Sequence, residues 1–110
     1  MDSYSVRCLF RWQPRPQQRA RYLYEERITL WQAESLDHAI ELAEQEAEAY
    51  ADDGDEFLGF VQAYALVEPV AGHGAEVFSL LRESDLEPKV YIDTFFATGT
   101  EHEQKWAAPD

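Results

Sequence analysis

The chain has little that could cross-link or anchor it. Its 110 residues include one cysteine, Cys8, so no internal disulfide can form and the fold does not depend on an oxidising compartment. The longest apolar stretch, residues 57–67, is interrupted by Gly59 and Gln62 and is too short to span a bilayer. The first residues lack the basic and apolar segments of a secretory signal. We therefore expect a cytoplasmic protein without membrane contact.

Positive charge is also scarce, with nine Lys and Arg against 22 Asp and Glu and a net charge of −13. Six of the nine cations are arginines within residues 1–33, which carry +3, whereas residues 34–110 carry −16. The run from Glu34 to Glu56 holds ten acids and no Lys or Arg. Such a chain repels nucleic acid and anionic membranes at long range. The charge favours a basic protein partner and predicts no nucleic-acid partner.

At 110 residues the chain is long enough for one core and too short for two, and its hydrophobic content of 45% argues against disorder. We expect a single domain over residues 1–99, followed by a polar, mobile tail over residues 100–110.

The first third of the chain alternates with the period of two that is typical of β-strands. Residues 4–12 form one such segment, and Pro14 and Pro16 end it. Residues 22–32 form the next, so that an antiparallel hairpin is the simplest pairing. In this second strand, one face carries Tyr22, Tyr24, Ile28 and Leu30, and the other carries Arg27, Thr29 and Trp31.

A helix follows, with Ser35 as its N-cap. Apolar residues recur at helical spacing from Leu36 to Ala51, and Gly54 can adopt the left-handed conformation that ends the helix. The opposite face carries acids three and four residues apart, namely Asp37, Glu41, Glu44 and Glu48. This stripe is either a solvated face or a docking surface for a basic protein.

Residues 57–67 are apolar on both faces and predict an inner strand. Residues 75–82 predict a fourth strand, with a short helix as the alternative. Ser84 or Asp85 can cap a second helix that has Pro88 in its first turn and ends between Ala97 and Gly99. The order β-β-α-β-β-α predicts an α+β fold: an antiparallel sheet of about four strands with helices packed mainly on one face.

If the long helix covers the face of Val6, Phe10, Ile28 and Leu30, the far face of the sheet combines arginines with apolar side chains. This predicted sheet-face interface consists of Arg7, Leu9, Arg11, Arg27 and Trp31. Apolar patches often mark interfaces, so we expect self-association here, as a homodimer. Arginines interleaved with aromatics can also bind single-stranded nucleic acid, but the net charge argues against it.

We find no assembled catalytic motif, no metal-ligand spacing among His38, His73 and His102, and no cofactor signature, and we expect no enzyme activity. Cys8 is expected to be a structural core residue. Residues 52–56 cluster carboxylates that could bind calcium, but their spacing favours a solvated turn.

Three segments resemble an uncharacterised bacterial family, domain of unknown function 4288. They are Tyr4-Ser5-Val6-Arg7, Tyr24-Glu25-Glu26-Arg27-Ile28 and Ala33-Glu34-Ser35, and later Glu76-Val77-Phe78-Ser79 and Phe95-Phe96-Ala97-Thr98-Gly99 are similar as well. The resemblance covers roughly residues 4–83, or 4–101 with an extension seen in longer relatives. It implies a small bacterial α+β domain, and no activity, cofactor or catalytic residue.

The sequence therefore predicts a small acidic interaction or regulatory domain, of the kind that can include toxin-neutralising inhibitors, which holds a basic protein through its acidic helix. The alternative is a homo-oligomer with an interface or a ligand pocket on the sheet face near Trp31. An enzyme of unrecognised type is the third hypothesis.

Overall fold

Two long strands open the chain and pair with each other along their whole length. In the computed structural model, which describes residues 1–52, 54–69 and 73–96, β1 spans Asp2–Trp12 and β2 spans Tyr22–Ala33. Their antiparallel register runs from Asp2 opposite Ala33 to Trp12 opposite Leu23. The predicted hairpin is confirmed.

Two further strands extend this hairpin at its edges. β3 (Glu56–Leu66) pairs antiparallel with β1, and β4 (Ala75–Ser84) pairs antiparallel with β2, so the sheet order is β3-β1-β2-β4. With the helices α1 (Leu36–Tyr50) and α2 (Pro88–Phe95), the element order is β-β-α-β-β-α. The predicted α+β fold with four antiparallel strands is confirmed.

Local signals set both ends of α1. The Ser35 hydroxyl accepts the backbone N–H of His38 at 3.0 Å, as predicted for an N-cap. After the helix, Gly54 has φ +89°, in the region that side chains rarely adopt. The buried side of α1 is formed by Ala39, Ala43 and Ala47. These small side chains let the helix lie close to the sheet.

The core has two layers, one on each face of the sheet. Beneath α1, the cluster consists of Tyr4, Val6, Cys8, Phe10, Trp31 and Ala33 with the three helix alanines. On the other face, Leu9 and Tyr24 pack with Tyr91 of α2 and with Phe96. The expectation that the helices lie mainly on one face is therefore corrected for α2, because Leu9 and Tyr24 leave an apolar surface that this helix covers.

β3 is an edge strand, so the prediction of an inner strand is wrong. Its residues are apolar on both faces because both core layers reach it: Phe57 and Val61 pack in the α1 layer, and Leu58 and Phe60 in the other. The pairing of β3 with β1 is irregular at this point, and Gly59 there has φ +82°.

The N-cap of α2 is Glu87, whose carboxylate accepts the N–H of Lys89 at 3.2 Å, with Pro88 at the start of the helix. The two residues predicted as caps have other partners. The Ser84 hydroxyl accepts the backbone N–H of Leu86, and the Asp85 carboxylate accepts the backbone N–H of Arg21. The predicted end of this helix at residues 97–99, and the tail, lie outside the described residues. Neither described helix is long and apolar enough to cross a membrane.

Candidate interaction surfaces

The four predicted acidic residues of α1 lie together on the outer side of the helix. Asp37, Glu41, Glu44 and Glu48, which we call the acidic face, are all exposed. They stand opposite the alanines that touch the sheet. Within the described part of the chain, none of the four forms an ion pair. The acidic face therefore presents its charge to solvent without neutralisation.

Arg27 of β2 forms its ion pairs inside the fold. Arg27 is buried beneath the helix, where its guanidinium makes a bidentate pair with Glu46 at 2.6 and 2.9 Å. Its Nε binds Glu76 at 2.6 Å, and the group lies 3.6 Å from the centre of the Tyr50 ring. Burial by itself lowers the pKa of Arg27, but the hydrogen bonds to Glu46 and Glu76 outweigh it and the pKa is raised. Arg27 is a fixed internal cation.

Two other arginines are paired on the opposite face of the sheet. Arg7 forms an ion pair with Glu26 at 2.9 Å and donates to Gln62 at 2.7 Å. Arg11 pairs with Glu56 at 2.7 Å. Arg7, Arg11 and Arg27 thus form ion pairs with acids that do not belong to the acidic face.

The predicted sheet-face interface is not assembled. Arg7, Leu9 and Arg11 lie on the α2 side of the sheet, whereas Arg27 and Trp31 lie beneath α1, and both apolar members, Leu9 and Trp31, are buried. The prediction is wrong because it put Ile28 and Leu30 beneath α1. The observed register places Cys8 opposite Arg27 and Val6 opposite Thr29, so the polar row of β2 shares the face of Val6.

A buried carboxylate that the sequence did not predict, Glu25, connects β2 to three other elements. Glu25 accepts the indole N–H of Trp12 at 2.9 Å and the hydroxyl of Tyr50 at 3.0 and 2.9 Å on its two oxygens. The hydroxyl of Ser79 in β4 donates to it as well. In the sequence, Glu25 belongs to the same alternating row of β2 as Arg27 and Trp31, which indicates that it shares their face. Because its oxygens are fully engaged, Glu25 organises the structure rather than offering a ligand site.

An open cavity of about 570 Å³ lies beside the start of α1. It is lined by Met1, Gln32, His38, Leu42 and His73. The His73 ring packs edge-on against Trp31, with 4.8 Å between ring centres. This places a cavity near Trp31, at the end of the sheet rather than on its face.

The carboxylates after α1 are partly used in the fold. Asp55 accepts the backbone N–H of Gln13 at 2.9 Å, and Glu56 holds Arg11. Asp53 lies outside the described residues. Among the described residues, no group of three or more His, Cys, Asp or Glu side chains could hold a metal ion.

Cys8 is buried in the α1 layer. Burial, with a further contribution from Glu46, raises the pKa of its thiol to about 12. A thiol in this state is a poor nucleophile at neutral pH.

β4 is the most exposed of the four strands. Its large apolar side chains Val77, Phe78, Leu80 and Leu81 keep 54%, 43%, 38% and 36% of their surface accessible. The sequence predicted the strand but not its exposure, because exposure depends on which strand the helices leave uncovered.

Comparison of the chain with protein-family models, with curated proteins and with solved structures finds no match to any of them. The resemblance to the domain of unknown function 4288 stays a prediction.

Proposed function

We propose that this chain is an interaction domain that binds a basic protein through the acidic face of α1. The observation that carries the proposal is the exposed stripe of Asp37, Glu41, Glu44 and Glu48, none of which forms an ion pair among the described residues. The members of the stripe repeat along one side of the helix over about three turns. A surface of this length matches a cationic segment of a partner protein better than it matches a single ion.

The energetics favour this use of the stripe. Like charges three and four residues apart cost a helix a few tenths of a kcal/mol per pair. A cationic partner relieves this repulsion when it binds, and a field of one sign also accelerates the encounter. Because the acids are exposed, the attraction is screened by salt, and we expect the affinity to fall as salt rises.

The test is affinity capture from a lysate of the source organism at low salt, followed by mass spectrometry and titration with the purified partner. The variant Glu41→Lys/Glu44→Lys/Glu48→Lys should lose the partner. The matched control is Asp2→Lys/Glu68→Lys/Asp93→Lys, which changes the net charge equally at exposed positions outside the acidic face. It should keep the partner. Equal capture by both variants, or equal loss from both, would rule out the acidic face as a specific site.

A small-molecule site is the second candidate, favoured by the cavity beside Trp31. Its mixed lining of imidazole, amide and apolar side chains suits a small ligand with an aromatic group. A thermal-shift screen should find compounds that stabilise the native chain but not a Leu42→Trp variant, in which the added ring fills the cavity. Compounds that stabilise both proteins equally would place the site elsewhere.

A further inference from the structure

Neither of the two helices in the described part of the chain covers β4. α1 packs on β1, β2 and β3, and every residue of β4 from Ala75 to Glu83 is exposed. Its apolar side chains emerge on both faces: Phe78 opposite Ile28 on the α2 side, and Leu81 opposite Glu25 on the α1 side. An inner position in a larger sheet suits such a strand better than a solvated edge.

Among the described strands, none pairs with the outer side of β4. As the last strand of the order β3-β1-β2-β4, it is hydrogen-bonded to β2 on one side alone. An apolar edge strand of ten residues is a template for pairing with another strand. The side chains of β4 indicate which strand could be this partner.

The β4 sequence is complementary to itself when reversed about Ser79. In that antiparallel register, Phe78 lies opposite Leu80, twice by symmetry, and both residues belong to the regular part of β4 on the α2 side. The register of β4 with β2 shifts between Phe78 and Glu76, so Glu76 binds Arg27 on the α1 side, whereas Arg82 lies beside Tyr91 on the α2 side. The charged residues therefore do not pair, and the match consists of the large apolar residues next to the axis.

The neighbouring symmetric registers lack this match. When two identical strands pair antiparallel, the two-fold axis passes between the two copies of one residue. Each symmetric register is therefore defined by the residue that lies at the axis. With the axis at Leu80, Phe78 faces Arg82. With the axis at Phe78, this residue faces its own copy and Leu80 faces the irregular part of the strand. Neither alternative places Phe78 opposite Leu80.

We propose that β4 pairs antiparallel with β4 of a second copy of this chain, about a two-fold axis at Ser79. The product is one continuous sheet of eight strands, β3-β1-β2-β4-β4-β2-β1-β3. The pairing removes one open edge from each copy and places the exposed apolar side chains of β4 beside those of the second copy. It leaves α1 accessible, so it does not depend on the proposed function.

Dimerisation through β4 should depend on salt in the opposite way to the binding of a basic partner at the acidic face. Each copy carries a net charge of −13, and two such copies repel each other. Salt screens this repulsion. Self-association should therefore tighten when sodium chloride is raised from 50 to 300 mM, whereas binding of a basic partner should weaken.

The first test is analytical ultracentrifugation of the full chain over micromolar to several hundred micromolar concentration at both salt levels. We expect a species of twice the chain mass. Leu80→Lys, which puts a charge on the paired segment next to the axis, should weaken the dimer by at least about tenfold. Val90→Lys replaces an apolar residue of similar exposure on α2 and should leave the dimer intact. A wild-type chain that stays monomeric, or a Leu80→Lys dimer as stable as the wild type, would overturn the proposal.

The second test reads the register and does not depend on the folding of Leu80→Lys. Ser79→Cys places a thiol at the axis, opposite the same residue of the second copy, and mild oxidation should cross-link it. Thr94→Cys, an exposed position on α2, should stay monomeric under the same conditions. Absence of the Ser79→Cys cross-link in a dimeric sample would assign the dimer to another surface. Capture of a foreign strand by a monomeric chain would likewise replace the second copy as the occupant of β4.

Discussion

Tyr50, the last residue of α1, donates its hydroxyl to both carboxylate oxygens of Glu25 in β2, at 3.0 and 2.9 Å. Trp12, at the end of β1, and Ser79 in β4 donate to the same carboxylate. One buried acid thus ties the end of the helix to three strands. The Tyr50 ring also packs edge-on against Phe10 and lies under the Arg27 guanidinium.

Tyr50→Phe should destabilise the fold, because it removes the hydroxyl and keeps the ring contacts. A hydrogen bond to a charged group contributes about 1.5–3 kcal/mol, and we expect a loss of that order from the free energy of unfolding. Urea denaturation monitored by Trp fluorescence measures it. Tyr22→Phe is the matched control, since this ring stacks on Tyr24 and no hydrogen bond of its hydroxyl is found in the described structure. Equal effects of the two substitutions would contradict the role given to Glu25.

The pair of Arg27 and Glu46 should show a stronger coupling than the exposed pair of Arg11 and Glu56. The Arg27 side chain is 8% exposed and that of Glu46 30%, against 41% and 51% for Arg11 and Glu56. A double-mutant cycle with Arg27→Met and Glu46→Gln should give a coupling energy of about 1–2 kcal/mol. The cycle with Arg11→Met and Glu56→Gln should give less than about 1 kcal/mol. Similar couplings in the two cycles would show that burial does not strengthen the inner pair.

The fold should lose stability in alkaline solution. Burial raises the pKa of Cys8 from its ordinary value of 9.0, and those of Tyr24 and Tyr50 from 10.0, each to about 12. Because the folded-state pKa values lie above those of the unfolded chain, this stabilisation is complete below pH 9. It is lost as pH rises through about 12.

Urea unfolding at intervals between pH 8 and 12 checks this dependence. In the Cys8→Ala variant the decline should begin nearer pH 10, because only the tyrosines remain. A free energy of unfolding that is constant or rises over this range would contradict the prediction.

The Cys8 thiol should react with Ellman's reagent only when the chain opens. At pH 8 we expect labelling of the native protein to be at least about a thousandfold slower than that of the chain in 6 M guanidinium chloride, since burial restricts both access and ionisation. An added thiol at an exposed position, Thr94→Cys, should label at once and serves as the control. Rapid labelling of native Cys8 would show that the α1 layer opens easily.

Local patterns predicted most of the secondary structure. The alternation in β1 and β2, the Ser35 cap, the alanine spacing of α1 and the turn at Gly54 each involve residues close together in the chain. Such features are set by backbone conformation and side-chain period. The exposure of the acidic face follows from the same helical spacing.

The sequence did not decide which face of each strand lies inside, since β2 has two rows that can both be buried. One row carries Tyr24, Ile28 and Leu30, and the other carries Glu25, Arg27 and Trp31. The second row became the interior beneath α1 because Glu46, Tyr50 and Ser79 satisfy its charged groups. All three partners are distant in sequence.

The sequence by itself determined the elements, their order and the placement of charge, because these depend on neighbours along the chain. The tertiary structure alone decided that β3 and β4 form the edges, that α2 covers the face opposite α1 and that β4 stays exposed. These outcomes depend on strand register and on which surfaces the helices cover. They are settled by the packing of residues more than fifty positions apart, such as Arg7 with Gln62.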